Sequence, residues 1–167
     1  MFSLVKKFLL AAFCITLTAC GFHLRGQATL PFETLYVDAS NDSSFATELK
    51  RALRSGTNTR LSDNPKDAEA IFQLVSETRD KQIQSVNTGG TVAEYELRMH
   101  VSFRLHDNKG RSWIVPTEIN LKRDVSYNDT NVLAKDYEEA QLYKDMQSDA
   151  VQQVMRRISE QYGRLLA

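Results

Sequence analysis

Few side chains in this chain could do chemistry, and their spacing speaks against catalysis. His100 and His106 share one face of an alternating stretch. Six residues at about 3.4 Å each put them about 20 Å apart, too far to share a metal ion. Each reads as a surface histidine. Glu94 and Glu96 lie beside Arg98 on that same face, which suits cross-strand ion pairing better than acid–base work. The sequence has no G-x-S-x-G elbow, no H-E-x-x-H and no Walker loop. A hydrolase would need a nucleophile paired with a base, and none is evident. The expectation is therefore a non-enzymatic protein with no catalytic residue, no cofactor and no metal.

The two cysteines point to an anchor instead. Lys6 and Lys7 give a positive n-region, and Phe8 to Leu17 a short apolar run. That run falls short of the roughly 20 apolar residues that span a bilayer, but it has the order of a secretion signal. Leu17-Thr18-Ala19-Cys20 then fits a lipobox, in which the cysteine thiol receives a diacylglycerol and becomes the new N-terminus. Two or more acyl chains hold a protein firmly on a membrane, at about 0.8 kcal/mol per buried CH2. Expected boundaries are a signal at 1–19, a lipidated tether at 20–30 and one periplasmic domain at 31–167. Cys14 leaves with the signal and Cys20 is consumed by lipid, so no thiol remains for a disulfide. Gly21 follows Cys20 where an Asp commonly retains lipoproteins at the inner membrane, so the outer membrane is the expected address. The 21 Lys and Arg, less the two signal lysines, leave 19 against 21 acidic side chains. So even a balance argues against a dedicated nucleic-acid surface.

The elements that must position everything else follow from periodicity. Leu35-Tyr36-Val37 marks a short strand. Asp42-Ser43-Ser44 offers N-cap oxygens to a helix carrying Phe45, Leu49, Ala52 and Leu53 on one face, with Gly56 as its stop. Asn58 to Asp67 reads as a loop containing a short strand at 59–61. Ala70 to Val86 is β-rich, and Thr88-Gly89-Gly90 is a hairpin turn. The strongest pattern is Ala93, Tyr95, Leu97, Met99, Val101, Phe103 and Leu105 alternating with polar residues, a long strand buried on one face. Asp107-Asn108-Lys109-Gly110 turns the chain into a second long strand, where Pro116 marks an edge or a bulge. Asn128-Asp129-Thr130-Asn131 connects to a helix from about Val132 to Leu166. Its stripe is Leu142, Met146, Ala150, Val154, Ile158, Tyr162 and Leu165, widened by Val151 and Met155. The fold class is α+β: a mixed sheet of about four strands, with two helices packed on one face and the first strand parallel to a neighbour.

Three stretches carry a family resemblance: Cys20-Gly21-Phe22-His23-Leu24-Arg25-Gly26, Val92-Ala93-Glu94-Tyr95, and Leu133-Ala134-Lys135-Asp136. With the order of elements, they make the mature chain resemble the LptE family, the lipoprotein partner of the outer-membrane lipopolysaccharide translocon. The resemblance implies a plug and assembly partner of the LptD barrel that binds lipopolysaccharide. A barrel lumen is polar, so a plug would need the polar strand face that an ordinary solvated sheet also has. Lipopolysaccharide phosphates and acidic sugars would need exposed cations at loop ends. Lys122 and Arg123 on the last strand, and Lys135 in the Leu-Ala-Lys-Asp stretch that resembles a family ligand-contact region, are the positions for them. The tip at Val86-Asn87-Thr88-Gly89-Gly90 lacks the arginine that some relatives carry. The competing reading is a free periplasmic lipoprotein binding an amphipathic or cell-wall ligand, which requires a sizeable apolar pocket between helices and sheet.

Overall fold

The long alternating stretch becomes an interior strand of a five-stranded sheet. The structure, a computed structural model, describes Leu30, residues 32–127 and residues 131–165, and the backbone alone at 161–165. Strands are β1 (Thr34–Asp38), β2 (Arg60–Ser62), β3 (Ala70–Val86), β4 (Val92–Asp107) and β5 (Ser112–Ser126). Helices are α1 (Ser44–Gly56) and α2 (Val132–Leu165), with a 3-10 turn at Pro65–Asp67. The expected signal, the tether from Cys20 to residue 29, and the connector at 128–130 lie outside the described residues, as do the side chains of Tyr162 and Leu165, whereas Leu30 is buried in the core.

The sheet order is β2-β1-β3-β4-β5. Strand β1 is parallel to both neighbours, and β3, β4 and β5 form antiparallel hairpins. The sheet thus has five strands rather than about four, because the three-residue stretch after α1 pairs fully with β1. The short strand expected at 59–61 is present at Arg60–Ser62, and parallel pairing with a buried neighbour makes it a full member of the sheet. Both expected features of Pro116 are present: β5 is an edge strand, and its register slips between Ile114 and Thr117.

Ser43 caps α1 by accepting from the Ala46 N–H at 2.9 Å, as a serine at that position should. The helix does not end on a left-handed glycine. Thr57 closes it instead, its N–H donating to the Leu53 carbonyl at 3.2 Å and its hydroxyl at 2.8 Å. The two hairpin turns share one construction. Asn87 and Asp107 open them, and Gly90 and Gly110 close them at φ near +80°, where a Cβ is penalised.

One core fills the space between sheet and helices. Leu35, Val37, Phe72, Leu97, Met99, Val101, Phe103 and Leu105 meet Phe45, Leu49 and Leu53 of α1 and Met146, Ala150, Val151, Val154 and Ile158 of α2. Phe72 and Phe103 stack at 5.3 Å between ring centres. The α2 stripe is buried as its periodicity requires only from Met146 onward; Leu142 is half covered.

Candidate functional site

The functional geometry comes from unequal strand lengths. Strand β1 pairs with β3 only up to Asp38–Gln73. Beyond Gln73, three long strands run on as a blade whose helix-side face meets α2.

The blade's open face is polar along most of its length, up to the Val86–Val92 pair at its end. Register places Ser76, Ser102 and Glu118 in one row, then Thr78, His100 and Asn120, then Asp80, Arg98 and Lys122, then Gln82, Glu96 and Asp124, and last Ser85, Glu94 and Ser126. No apolar side chain interrupts these rows. Carboxylates outnumber cations on it, so the face is acidic. Glu96 accepts from Arg98 and from Lys122 at 3.2 Å, and His100 pairs with Asn120 at 2.7 Å. The Arg98 hydrogen bond holds the Glu96 carboxyl below its ordinary range against the opposing effect of burial, with Lys122 adding to it. His106 meets only the Asp107 carbonyl, at 2.8 Å. These groups are satisfied by one another, as structural ion pairs and surface histidines are.

Polar staples join the blade's helix-side face to the first turns of α2. Lys81 pairs with Glu139 and lies 4.2 Å from the Tyr95 ring centre. The Tyr143 hydroxyl donates to the Asp80 carbonyl at 2.7 Å. Burial raises the Tyr143 pKa, with Glu139 and Asp80 adding to the effect. Deeper, Arg79 donates to Gln147 and to Ser44, and Gln147 donates to Glu48. That polar knot ties the start of α1 to both β3 and α2.

The three cations expected to bind a ligand do not converge. Lys122 and Arg123 are neighbours on a strand and therefore point to opposite faces. Lys122 lies on the open face with Glu96, whereas Arg123 faces α2 and donates to Asp149 at 2.7 Å. Lys135 sits at the start of α2, bonded to Glu138 at 2.7 Å and to the Ser126 hydroxyl at 3.1 Å. Each already has a carboxylate.

Around Lys135 the far end of the blade is unexpectedly apolar. Ile83, Val86, Val132, Leu133 and Tyr137 are all exposed, Leu133 by 86% and Tyr137 by 75%. They account for five of the seven exposed large hydrophobics among the described residues. Tyr95 and Tyr127 pack edge-to-face beside them, 5.3 Å apart. Lys81 and Lys135 bring charge to the same end. Sequence periodicity missed this group because its members lie off the α2 stripe or in the polar half of β3. Exposed Leu and Tyr flanking Lys135 were the available signal. An apolar surface with lysines at its margin fits an amphipathic anion or a partner's wall.

A family model described as lipopolysaccharide assembly, LptE, matches residues 32–158. The chain belongs to the LptE family. It is 29% identical over 159 residues to the LPS-assembly lipoprotein LptE of Yersinia enterocolitica, covering 90% of this chain and 73% of that protein. It is 40% identical to an uncharacterized lipoprotein B of Nitrosomonas europaea solved by NMR, with a TM-score of 0.73 over 83% of this chain and 90% of that one. The rare lipoprotein B of Shewanella oneidensis is 23% identical, with a TM-score of 0.70 over 80% of this chain and 99% of that one; that likeness shows the fold alone. No described helix is long and apolar enough to cross a membrane.

Proposed function

We propose that this LptE-family chain is an outer-membrane lipoprotein of lipopolysaccharide assembly, anchored through Cys20, that plugs an LptD-type barrel and binds lipopolysaccharide. The observation that carries the reading is the blade: a helix-free, largely polar sheet face that ends in an exposed apolar group around Lys135. A polar face suits a water-lined lumen. The apolar end suits acyl chains or the barrel wall, and Lys135 suits the phosphates of the lipid. In this reading Lys135 meets the acidic groups first. Lys122 and Arg123 take part only by leaving Glu96 and Asp149. The acidic balance of the open face directs a polyanion toward the end of the blade rather than across it. No enzymatic step is part of the role.

The competing small-ligand reading needs an apolar pocket between helices and sheet. Of two cavities among the described residues neither fits, since one lies away from the helices and the other is lined mainly by polar and charged groups. One, about 470 Å3, is lined by Lys66, Asp67, Glu69, Asp107, Lys109 and Trp113 at the opposite end of the sheet. The other is taken up below.

The test is a mild-detergent pull-down of the tagged chain from outer membranes, with mass spectrometry of what is retained. A stoichiometric large barrel is expected with the wild type and is expected to be lost with Leu133→Asp/Tyr137→Asp. Both side chains are exposed, so the double variant should melt within about 0.5 kcal/mol of wild type. Recovery of the chain alone at normal abundance refutes the proposal.

A further inference from the structure

We propose a second binding site, away from the blade's end: a phosphomonoester site in the crevice between α1 and the carboxyl ends of β1 and β2. The crevice encloses about 230 Å3 and is lined by Tyr36, Asn41, Lys50, Arg54, Ser62 and Asp63 among others. Lys50 and Arg54 are one helical turn apart, so both reach it from the same flank of α1. Neither is in an ion pair with another described residue.

Asp63 lines the same crevice yet forms no ion pair with either cation. The helix dipole accounts for a cation in the last turn of α1, where Arg54 lies. It does not account for Lys50 a turn earlier. The Tyr36 hydroxyl and the Asn41 amide add polar groups without a side-chain partner among the described residues, whereas the Ser62 hydroxyl is committed to the Asn64 carbonyl at 2.8 Å.

Position supports the same conclusion. Strands β1 and β2 are parallel, and ligands of sheets with parallel strands gather at carboxyl ends beside a crossover helix. The volume is smaller than the roughly 300–1,000 Å3 of drug-sized sites. It suits one phosphoryl group and part of its ester substituent. Two cations with Tyr36 and Asn41 can complement the oxygens of such a group, and charge-assisted bonds of this kind are the strong ones. The phosphoryl group could be free, borne on a sugar, or part of a lipid headgroup, and the test separates these sources.

The full-length chain in neutral detergent is titrated in three arms: inorganic phosphate, glucose 1-phosphate, and phosphatidic acid mixed into the micelle. Backbone amide shifts of residues 50, 54, 62 and 63 report binding. Saturable shifts confined to these positions are expected, and the tightest arm names the source. Lys50→Gln/Arg54→Gln should weaken binding about tenfold or more, and Asp63→Asn should tighten it severalfold, a gain that a purely structural role for Asp63 would not produce. The proposal is overturned if no arm saturates. It is also overturned if chloride at matched ionic strength reproduces the shifts, or if the double glutamine variant binds as wild type.

Discussion

Tyr143→Phe tests how the blade is held to α2. The tyrosine hydroxyl donates to the Asp80 carbonyl at 2.7 Å, on the polar half of an interface whose apolar half begins at Met146. A neutral hydrogen bond contributes about 0.5–1.5 kcal/mol net, and water can replace the lost donor at this exposed carbonyl. The expected cost is therefore about 1 kcal/mol, which for a domain of this size lowers Tm by about 2–5 °C. The loss should also be local. Hydrogen exchange of residues 132–145 should accelerate about fivefold, while residues 146–158 keep most of their protection, because buried Met146, Ala150, Val154 and Ile158 hold them. A pH profile supplies a second readout. Burial, then Glu139 and Asp80, raise the Tyr143 pKa, so the folded state keeps the proton longer than the unfolded chain. Its contribution is complete below the unfolded value of about 10 and is lost as pH rises through the folded value. Phenylalanine cannot titrate, so the stability difference between variant and wild type should shrink at alkaline pH. If exchange accelerates equally along the whole of α2, the helix docks as one unit and the division into stapled and packed halves is wrong.

Three further outcomes can be checked by denaturation. Phe103→Ala removes a fully buried ring stacked on Phe72 and should cost about 3–5 kcal/mol, read as a fall in urea midpoint at unchanged slope. Gly90→Ala meets no atom within 4 Å but adopts φ +80°, so backbone conformation alone should cost about 1–2 kcal/mol. Gly89→Ala, equally uncrowded and without a positive φ, should change stability by under about 0.5 kcal/mol, and equal losses at the two sites would contradict the turn geometry. Glu96→Gln addresses the open face. Arg98, then Lys122, lower the Glu96 pKa, so its contribution is present above the unfolded value of about 4.3 and is lost as pH falls through the folded value. The glutamine variant should melt below wild type at neutral pH and approach it in acid; an unchanged gap across that range would remove Glu96 as the cause.

What could be read from the sequence, and what could not, follows the reach of each physical signal. Alternation from Ala93 to Leu105 and the spacing of Met146, Ala150, Val154 and Ile158 report burial directly, because a residue either faces the core or does not. Those patterns sufficed for the long strands, the helices and the α+β class. Strand β2 escaped counting because its order comes from a neighbour rather than from its own three residues. Lys122 and Arg123 looked like one basic pair, but the period of two sends them to opposite sides of the sheet, where Glu96 and Asp149 engage them. Only a fold can say which carboxylate a cation meets. The apolar end of the blade has the same origin. Ile83 and Val86 belong to β3, Leu133 and Tyr137 to α2, and no periodicity within either element shows that both expose apolar groups at one end. Their shared location depends on β3 outrunning β1, which ends at Asp38 opposite Gln73. The mismatch in strand length, rather than any motif, is what exposes a surface suited to a partner.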